Sequence, residues 1–313
     1  MDVGLIVGGL AVGFVVGLTG MGGGALMTPM LVFFFGVNPL AAVSSDLVTS
    51  ALMKPFGGFV HLRRGSVNLA IVGWLVVGSV PSAFAGVLLL KALGTGSGVD
   101  AVVTVALGAA LVTAAFALIV KAYVVMAADA RTRGAGGTPA RQDTVREVAP
   151  RPVPTVCIGV VGGLVVGMTS VGSGSLMIIA LLLVYPALRA GQLVGTDLVQ
   201  AVPLVAAAAA GHLLFGDFQP AVAASLLVGA VPGVVLGAQA SSRAPGGLIR
   251  RALALVLLAS GLKLLDVATP LVVAALVACL VLGPLAWMAA RRRHGLPALR
   301  RSSPRPVRSG GSG

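Results

Sequence analysis

The sequence predicts an all-α polytopic membrane protein. It consists of two inverted-topology repeats, each a re-entrant broken-helix hairpin plus three spanning helices, and one extra C-terminal helix. Three observations carry this. The chain of 313 residues is 57% hydrophobic and only 10% charged, with a mean hydropathy of +1.03. A soluble domain carries about 25% charged residues, so this one cannot cover itself with polar surface in water. A glycine-broken apolar stretch, residues 12–27, returns almost residue for residue at 162–177. Finally, the arginines collect on one side of a membrane only if those two stretches turn back on themselves.

The apolar segments run over 3–36, 39–61, 67–91, 99–127, 153–187, 190–214, 218–240, 248–266 and 269–290. Their length, recurrence and lack of strand-like alternation point to spanning helices rather than a barrel. They divide the chain into a first transmembrane repeat (1–127), a polar cytoplasmic linker (128–152) and a second transmembrane repeat (153–266). An extra helix (267–290) and a basic disordered tail (291–313) follow. A cleaved leader is not expected, because Met1-Asp2 lacks a basic start and the first apolar run is too long.

The repeat extends beyond the glycines. Val43-Ser44-Ser45-Asp46-Leu47-Val48 matches Val194-Gly195-Thr196-Asp197-Leu198-Val199, and at the same offset of 151 His61 matches His212. Gly78, Pro81 and Gly86 match Gly229, Pro232 and Gly237 in that register. Two copies of one unit plus a leftover helix is a transporter-like plan.

Segments 3–36 and 153–187 are too long for one spanning helix, which needs about 20 residues. Read as single spans, they would put Arg63-Arg64 and the Arg-rich linker on the opposite side from Arg291-Arg292-Arg293. Read as hairpins of two half-helices of about 15 residues, they put every Arg cluster on the cytoplasmic side and the N-terminus outside. Each repeat then crosses an odd number of times, so the second is inverted.

The tips of the hairpins are Thr19-Gly20-Met21-Gly22-Gly23-Gly24 and Thr169-Ser170-Val171-Gly172-Ser173-Gly174. Gly13, Gly17, Gly163 and Gly167 have helix-packing spacing. A run of consecutive glycines instead melts a helix, and melted backbone at membrane depth is tolerated only inside protein or along a polar cavity. The half-helix leaving each tip offers free N–H groups and a partial positive charge, which suits an anion.

Asp46 and Asp197 stand at equivalent points of their helices. Ionised carboxylates there are expensive unless paired, protonated or cation-bound. Two readings stay open: binding sites for a coupling proton or Na⁺, or carboxyl groups capping the adjoining half-helix. Thr49 and Gln200, at matching positions, are expected as supporting donors. Lys54, matched by Val205, is either a direct anion ligand or, the favoured reading, a side chain snorkelling toward Arg63. His61 and His212 close matching helices, either as hydrogen-bonded ends or as a gating or proton-relay pair.

The net charge is +13, but the cations lie between and after apolar segments, which speaks for membrane orientation rather than nucleic acid. Cys157 and Cys279 sit in apolar runs without metal-ligand spacing. No nucleophile–base set, metal cluster or Lys-bearing phosphate loop is evident, so no enzyme, no cofactor and no ATP drive are expected.

At Gly17-Leu-Thr-Gly-Met-Gly-Gly-Gly24, Gly167-Met-Thr-Ser-Val-Gly-Ser-Gly174 and His61-Leu-Arg-Arg-Gly65 the sequence resembles the sulfite exporter TauE/SafE family, also called TSUP permeases. The resemblance covers about residues 3–266. It implies a bacterial cytoplasmic-membrane transporter of small sulfur anions such as sulfite or C2–C3 sulfonates, with the tips 19–24 and 169–174 as the substrate region. Two departures stand out: Asp46 and Asp197 where small polar residues are expected, and Ser170 and Ser173 where the tip would carry glycine. The expected activity is gradient-driven export of a small organosulfur anion by alternating access. An uncoupled anion channel and a non-transporting scaffold are the alternatives. The bilayer and the anion are the expected partners, and a homo-oligomer is compatible.

Overall fold

The computed structural model describes residues 1–19, 23–63, 65, 67–94, 96–134, 148–174, 176–186, 188, 190–240 and 246–293. Among these the chain is all-helical. Its helices are α1 (Val3–Thr19), α2 (Gly24–Phe35), α3 (Pro39–Arg63), α4 (Leu69–Ala92), α5 (Ser97–Gly134), α6 (Pro152–Thr169), α7 (Leu176–Val184), α8 (Ala190–Phe215), α9 (Pro220–Ala240), α10 (Gly246–Leu264) and α11 (Thr269–Arg293). The starts obey local chemistry. The Asp2 carboxylate accepts from Gly4 N at 2.7 Å and Leu5 N at 3.2 Å. Asn38 and Asn68 do the same for α3 and α4, and proline opens α3 and α6.

Both long segments are broken where the glycines predict, and both turn back. At the first, a methyl group on Gly4 would lie 3.0 Å from Phe35 Cε1, and one on Gly8 2.8 Å from Met30 Sδ. The start of α1 therefore meets the end of α2. At the second, the Tyr185 hydroxyl just past α7 accepts from Arg151 N at 2.7 Å and pairs with Thr155 Oγ1 at the start of α6. The arms are not the equal half-helices of about 15 residues expected from length. They have 17 and 12 residues in the first segment and 18 and 9 in the second. The breaks follow the glycines and serines, not the midpoint of the apolar run.

Two helix pairs pack backbone to backbone. Along α1 and α9, Gly9, Gly13 and Gly17 face Leu226, Ala230 and Val234, while Gly229, Gly233 and Gly237 face Ile6, Leu10 and Phe14. Along α4 and α6, Gly159, Gly163 and Gly167 face Leu75, Ser79 and Ala83. Any Cβ at Gly13, Gly17, Gly163 or Gly167 would overlap a facing main chain, so these glycines set the interaxial distance. Helices α3 and α8 pack on each other, as do α5 and α10.

Among the described residues, six helices contain stretches long and apolar enough to cross a membrane: Leu69–Ala92, Gly98–Val120, Pro152–Thr169, Gly191–Phe215, Pro220–Ala240 and Thr269–Ala286. The chain is an integral membrane protein. Although 25 residues long, α3 is not in this set. Ser44, Ser45, Asp46, Thr49, Ser50 and Lys54 are buried along it. The first half of α3 is enclosed by protein and has no need of an apolar surface, whereas its second half exposes Leu52, Phe56, Phe59 and Leu62. By contrast α11 is almost wholly exposed and apolar. Helix α5 continues to Gly134, into the linker expected from 128, and α11 continues to Arg293, into the expected tail. Residues 135–147 and 294–313 lie outside the described residues.

Candidate functional site

The two chain breaks come together inside the molecule. Of the first, Gly20, Met21 and Gly22 lie outside the described residues. Its flanks are clear. The Thr19 hydroxyl bonds back to Val15 O at 2.8 Å. The Gly23 carbonyl accepts Leu26 N and Met27 N at 3.0 and 2.9 Å, opening α2, and no side chain caps that start.

The second break is a built turn. Ser170 adopts a left-handed backbone (φ 61°), and its N–H closes α6 on Val166 O at 2.8 Å. A non-glycine residue there carries a cost of order 1 kcal/mol, so its side chain must contribute something. Thr169 Oγ1 accepts from Val171 N at 3.2 Å. Gly172 and Gly174 have φ of 129° and 102°, values that a side chain would strain. The Gly172 carbonyl then accepts Leu176 N and Met177 N at 3.2 and 3.3 Å, opening α7. Thr169, Ser170, Val171, Gly172, Ser173 and Gly174 are all buried.

Gly24 touches Ser170. A methyl group on Gly24 would overlap the Ser170 carbonyl oxygen. Ala25 and Val171 insert together into one apolar cluster with Leu107, Leu111, Leu253 and Leu257 of α5 and α10. The opposite side of the junction is polar, and there α3 and α8 bring the acids.

Asp46 is fully buried. Its Oδ2 accepts from Thr28 Oγ1 of α2 at 2.9 Å and from Ser170 Oγ at 2.5 Å, and its Oδ1 accepts from Ser50 Oγ at 3.2 Å. One carboxylate thus ties both breaks to α3, which explains the hydroxyl at the strained position 170. It also lies beside the opening of α2: a methyl on Gly23 would be 4.0 Å from Asp46 Oδ1. Negative charge near a helix N-terminus is favourable, but the partners shown for this acid are the three hydroxyls and not the backbone N–H groups of α2.

Asp197, buried on α8, sits in different chemistry. It accepts from Gln200 Nε2 at 3.2 Å, the same amide reaches Met177 Sδ at 3.2 Å, and Ser79 Oγ donates to Gln200 Oε1 at 3.4 Å. The repeat partners of Thr28 and Ser50 are Ile178 and Ala201, so those two hydroxyls have no counterpart in the second half. Thr49, expected beside Asp46, instead donates to Ser45 O at 2.8 Å. Ser50, one helical turn after the acid, takes that place.

Lys54 does not snorkel. It is 9% exposed, and its Nζ donates to Ser173 Oγ of the second break at 2.6 Å. Both Asp197 and Asp46 act electrostatically on its ammonium. Arg63 stacks on Phe59, its guanidinium carbon 4.3 Å from the ring centre.

The histidines are unequal. His61 is half-buried near the end of α3. His212 is fully buried, with Nδ1 2.8 Å from Ser44 Oγ and Nε2 2.8 Å from Gly167 O. It bridges α8 to α3 and α6.

Sequence reading missed Thr28, Ser44, Ser50 and Ser79 as partners. The signal was there for two of them. Ser50 is four residues after Asp46, and Thr28 interrupts an otherwise apolar arm. Among the described residues no group of His, Cys, Asp or Glu is arranged to hold a metal ion.

The family model described as "Sulfite exporter TauE/SafE" matches residues 5–264. A Bacillus subtilis (strain 168) protein named "Probable membrane transporter protein YjnA" is 38% identical over 266 residues, covering 85% of this chain and all of that protein. No solved structure matches. The match runs through both breaks, both buried acids and Lys54, and the chain belongs to the sulfite exporter TauE/SafE family of membrane transporters.

Proposed function

We propose that this transporter moves a small organosulfur anion, such as sulfite or a C2–C3 sulfonate, by alternating access between two inverted repeats. The broken turns 19–24 and 169–174 form the substrate region. Asp46 and Asp197 carry a coupling proton or Na⁺. The observation that carries the reading is the meeting of the two breaks, Gly24 against Ser170, in the protein interior beside the acids. Helix openings offer anion-binding amides, and interior polar backbone at membrane depth is the setting in which transporters bind solutes.

The exchange of partners between halves supports the repeat architecture. The first helix of each half packs on the fourth helix of the other, α1 on α9 and α6 on α4, while α3 meets α8 and α5 meets α10. With the N-terminus outside, the Arg clusters face the cytoplasm. Export is favoured by the name of the family model.

The test is flux in proteoliposomes loaded with sulfite, sulfoacetate, sulfate or acetate under imposed proton and Na⁺ gradients. The reading predicts saturable movement of a sulfur anion that responds to one of those gradients. Flux that neither saturates nor responds to any gradient would establish a channel. Absence of any flux would remove the transport reading for these anions.

A further inference from the structure

Among the described residues, Ser45 Oγ is the buried side-chain polar atom without a hydrogen-bond partner. The residue is fully enclosed on α3. Its neighbours bond back along the helix: Ser44 Oγ donates to Leu40 O and Thr49 Oγ1 to Ser45 O, each at 2.8 Å. An orphaned buried hydroxyl is costly, and native proteins leave few of them.

The repeat identifies the missing partner. At the offset of 151, Ser45 corresponds to Thr196 on α8, and Gln219 corresponds to Asn68. Thr196 is equally buried, and its Oγ1 accepts from Asn68 N at 3.1 Å. Asn68 and Gln219 each stand one residue before a helix, α4 and α9. Their carbonyls open those helices in the same way, accepting Val72 N at 3.0 Å and Ala223 N at 3.1 Å. The helix starts are equivalent and so are the hydroxyls, but the contact between them is made in one half only.

The difference extends along the helices. Helix α4 follows α8 through Asn68 and Thr196, then through Ser79 Oγ donating to Gln200 Oε1 at 3.4 Å. Further on, a methyl group on Gly211 would lie 3.1 Å from Val87 Cβ. Helix α9 touches α3 less extensively, in an apolar cluster that holds Ala42, Met53, Val222, Leu226 and Ala230. Glycine-lined main-chain contact locks α1 to α9 and α4 to α6. The α3–α8 pair therefore leans on one locked pair, α4–α6, and meets the other, α1–α9, more loosely.

We propose that Ser45 is a positioning residue of the transport cycle: it accepts the Gln219 N–H in a second conformation, where α3 and α8 lean on α1–α9 and Thr196 has released Asn68. This rests on the transport reading above. Two equivalent halves held in unlike conformations have a second arrangement of comparable energy, in which each takes the other's conformation. A contact made by one half alone then marks what the other half makes after the exchange. Under the inverted topology the two hydroxyls lie toward opposite membrane faces, so the exchange closes one mouth as it opens the other. Ser45 acts through α9 and not on the solute.

The experiment uses the full-length protein in proteoliposomes and measures flux of sulfite and of sulfoacetate. Ser45→Ala should lower the maximal rate about three- to tenfold, the effect of one buried hydrogen bond, and leave KM unchanged. Its melting temperature should not fall, because the hydroxyl bonds to nothing in the present conformation. Ser45→Thr, which keeps a hydroxyl as the equivalent Thr196 does, should recover most of the rate. A Ser45→Ala rate equal to that of the unaltered protein overturns the proposal. A loss of rate with a lower melting temperature also overturns it, because it marks a contact of the present conformation. In either case the transport reading survives. A second measurement needs no solute. In a chain carrying Cys157→Ser and Cys279→Ser, the pair Ser45→Cys and Gln219→Cys should cross-link under mild oxidation. The control is Val87→Cys with Gly211→Cys, positions already in contact. If the unaltered protein moves neither anion, the transport reading falls, and the cross-link alone decides whether α3 closes on α9. A control pair that closes while the Ser45–Gln219 pair stays reduced overturns the proposal.

Discussion

Replacing Asp46 by alanine removes the acceptor that joins both chain breaks to α3. Three hydroxyls point at it, from 2.9 Å (Thr28), 3.2 Å (Ser50) and 2.5 Å (Ser170). A hydrogen bond to a charged acceptor contributes about 1.5–3 kcal/mol, so a naive sum is about 5–9 kcal/mol. Much of that is recovered. Thr28 and Ser50 lie in helices, where a hydroxyl can turn to the carbonyl four residues back. Ser170, past the end of α6, is left facing the vacated space. Removing a buried carboxylate also relieves its desolvation. What remains is one orphaned hydroxyl and a small cavity, about 2–4 kcal/mol. For a chain of this size that corresponds to a melting temperature lower by about 5–12 °C. The assay is thermal unfolding of the detergent-solubilised protein. It is run on Asp46→Ala, Ser170→Ala and the double variant. Because both single changes break the same contact, the double variant should be less destabilised than their sum by about 1–2 kcal/mol. Additive losses, or an Asp46→Ala melting temperature within about 1 °C of the unaltered protein, would refute the claim that this carboxylate holds the two breaks together.

Gly24→Ala forces a methyl group onto the Ser170 carbonyl. It should destabilise by about 1–3 kcal/mol and reduce flux more than Gly73→Ala, at a position where added bulk meets nothing; thermal unfolding and proteoliposome flux on both variants check this. His212→Leu leaves Ser44 and the Gly167 carbonyl without their 2.8 Å partners. A loss of about 2–4 kcal/mol is expected, partly rescued by His212→Gln, whose amide can still donate. Tyr185→Phe removes the acceptor of Arg151 N and the partner of Thr155. It should cost about 1–2 kcal/mol and increase amide exchange at residues 151–155. Gly17→Leu would drive a side chain into the Val234 and Gly237 main chain and separate α1 from α9. Its expected readout is loss of folded, monodisperse protein.

Much of the fold was legible because its physics is local or periodic. Apolar runs mark helices, consecutive glycines mark breaks, and Gly-x-x-x-Gly spacing marks close helix contact. The return of each broken segment was read from charge, and Gly4 against Phe35 and Tyr185 against Arg151 are the contacts of such a return. The unequal arms were not legible, since nothing in the apolar run of 153–187 says that nine residues suffice for the way back. The place of Lys54 was misread for a related reason. Its next Arg neighbours in sequence suggested a membrane face, but its partner, Ser173, is 119 positions away. The acids were found as charges in apolar runs. Their partners were not, because a serine or threonine in a helix usually bonds to its own backbone, as Thr49 does, and only the meeting of the breaks gives Ser170 and Thr28 something better.

The most direct measurement is a map of the purified protein with a bound sulfonate. The account predicts solute density bounded by Gly23, Gly24, Ser173 and the Lys54 ammonium, with residues 3–36 and 153–187 each traced as two helices. Density for the solute away from both turns, or either segment traced as one continuous helix, would contradict it.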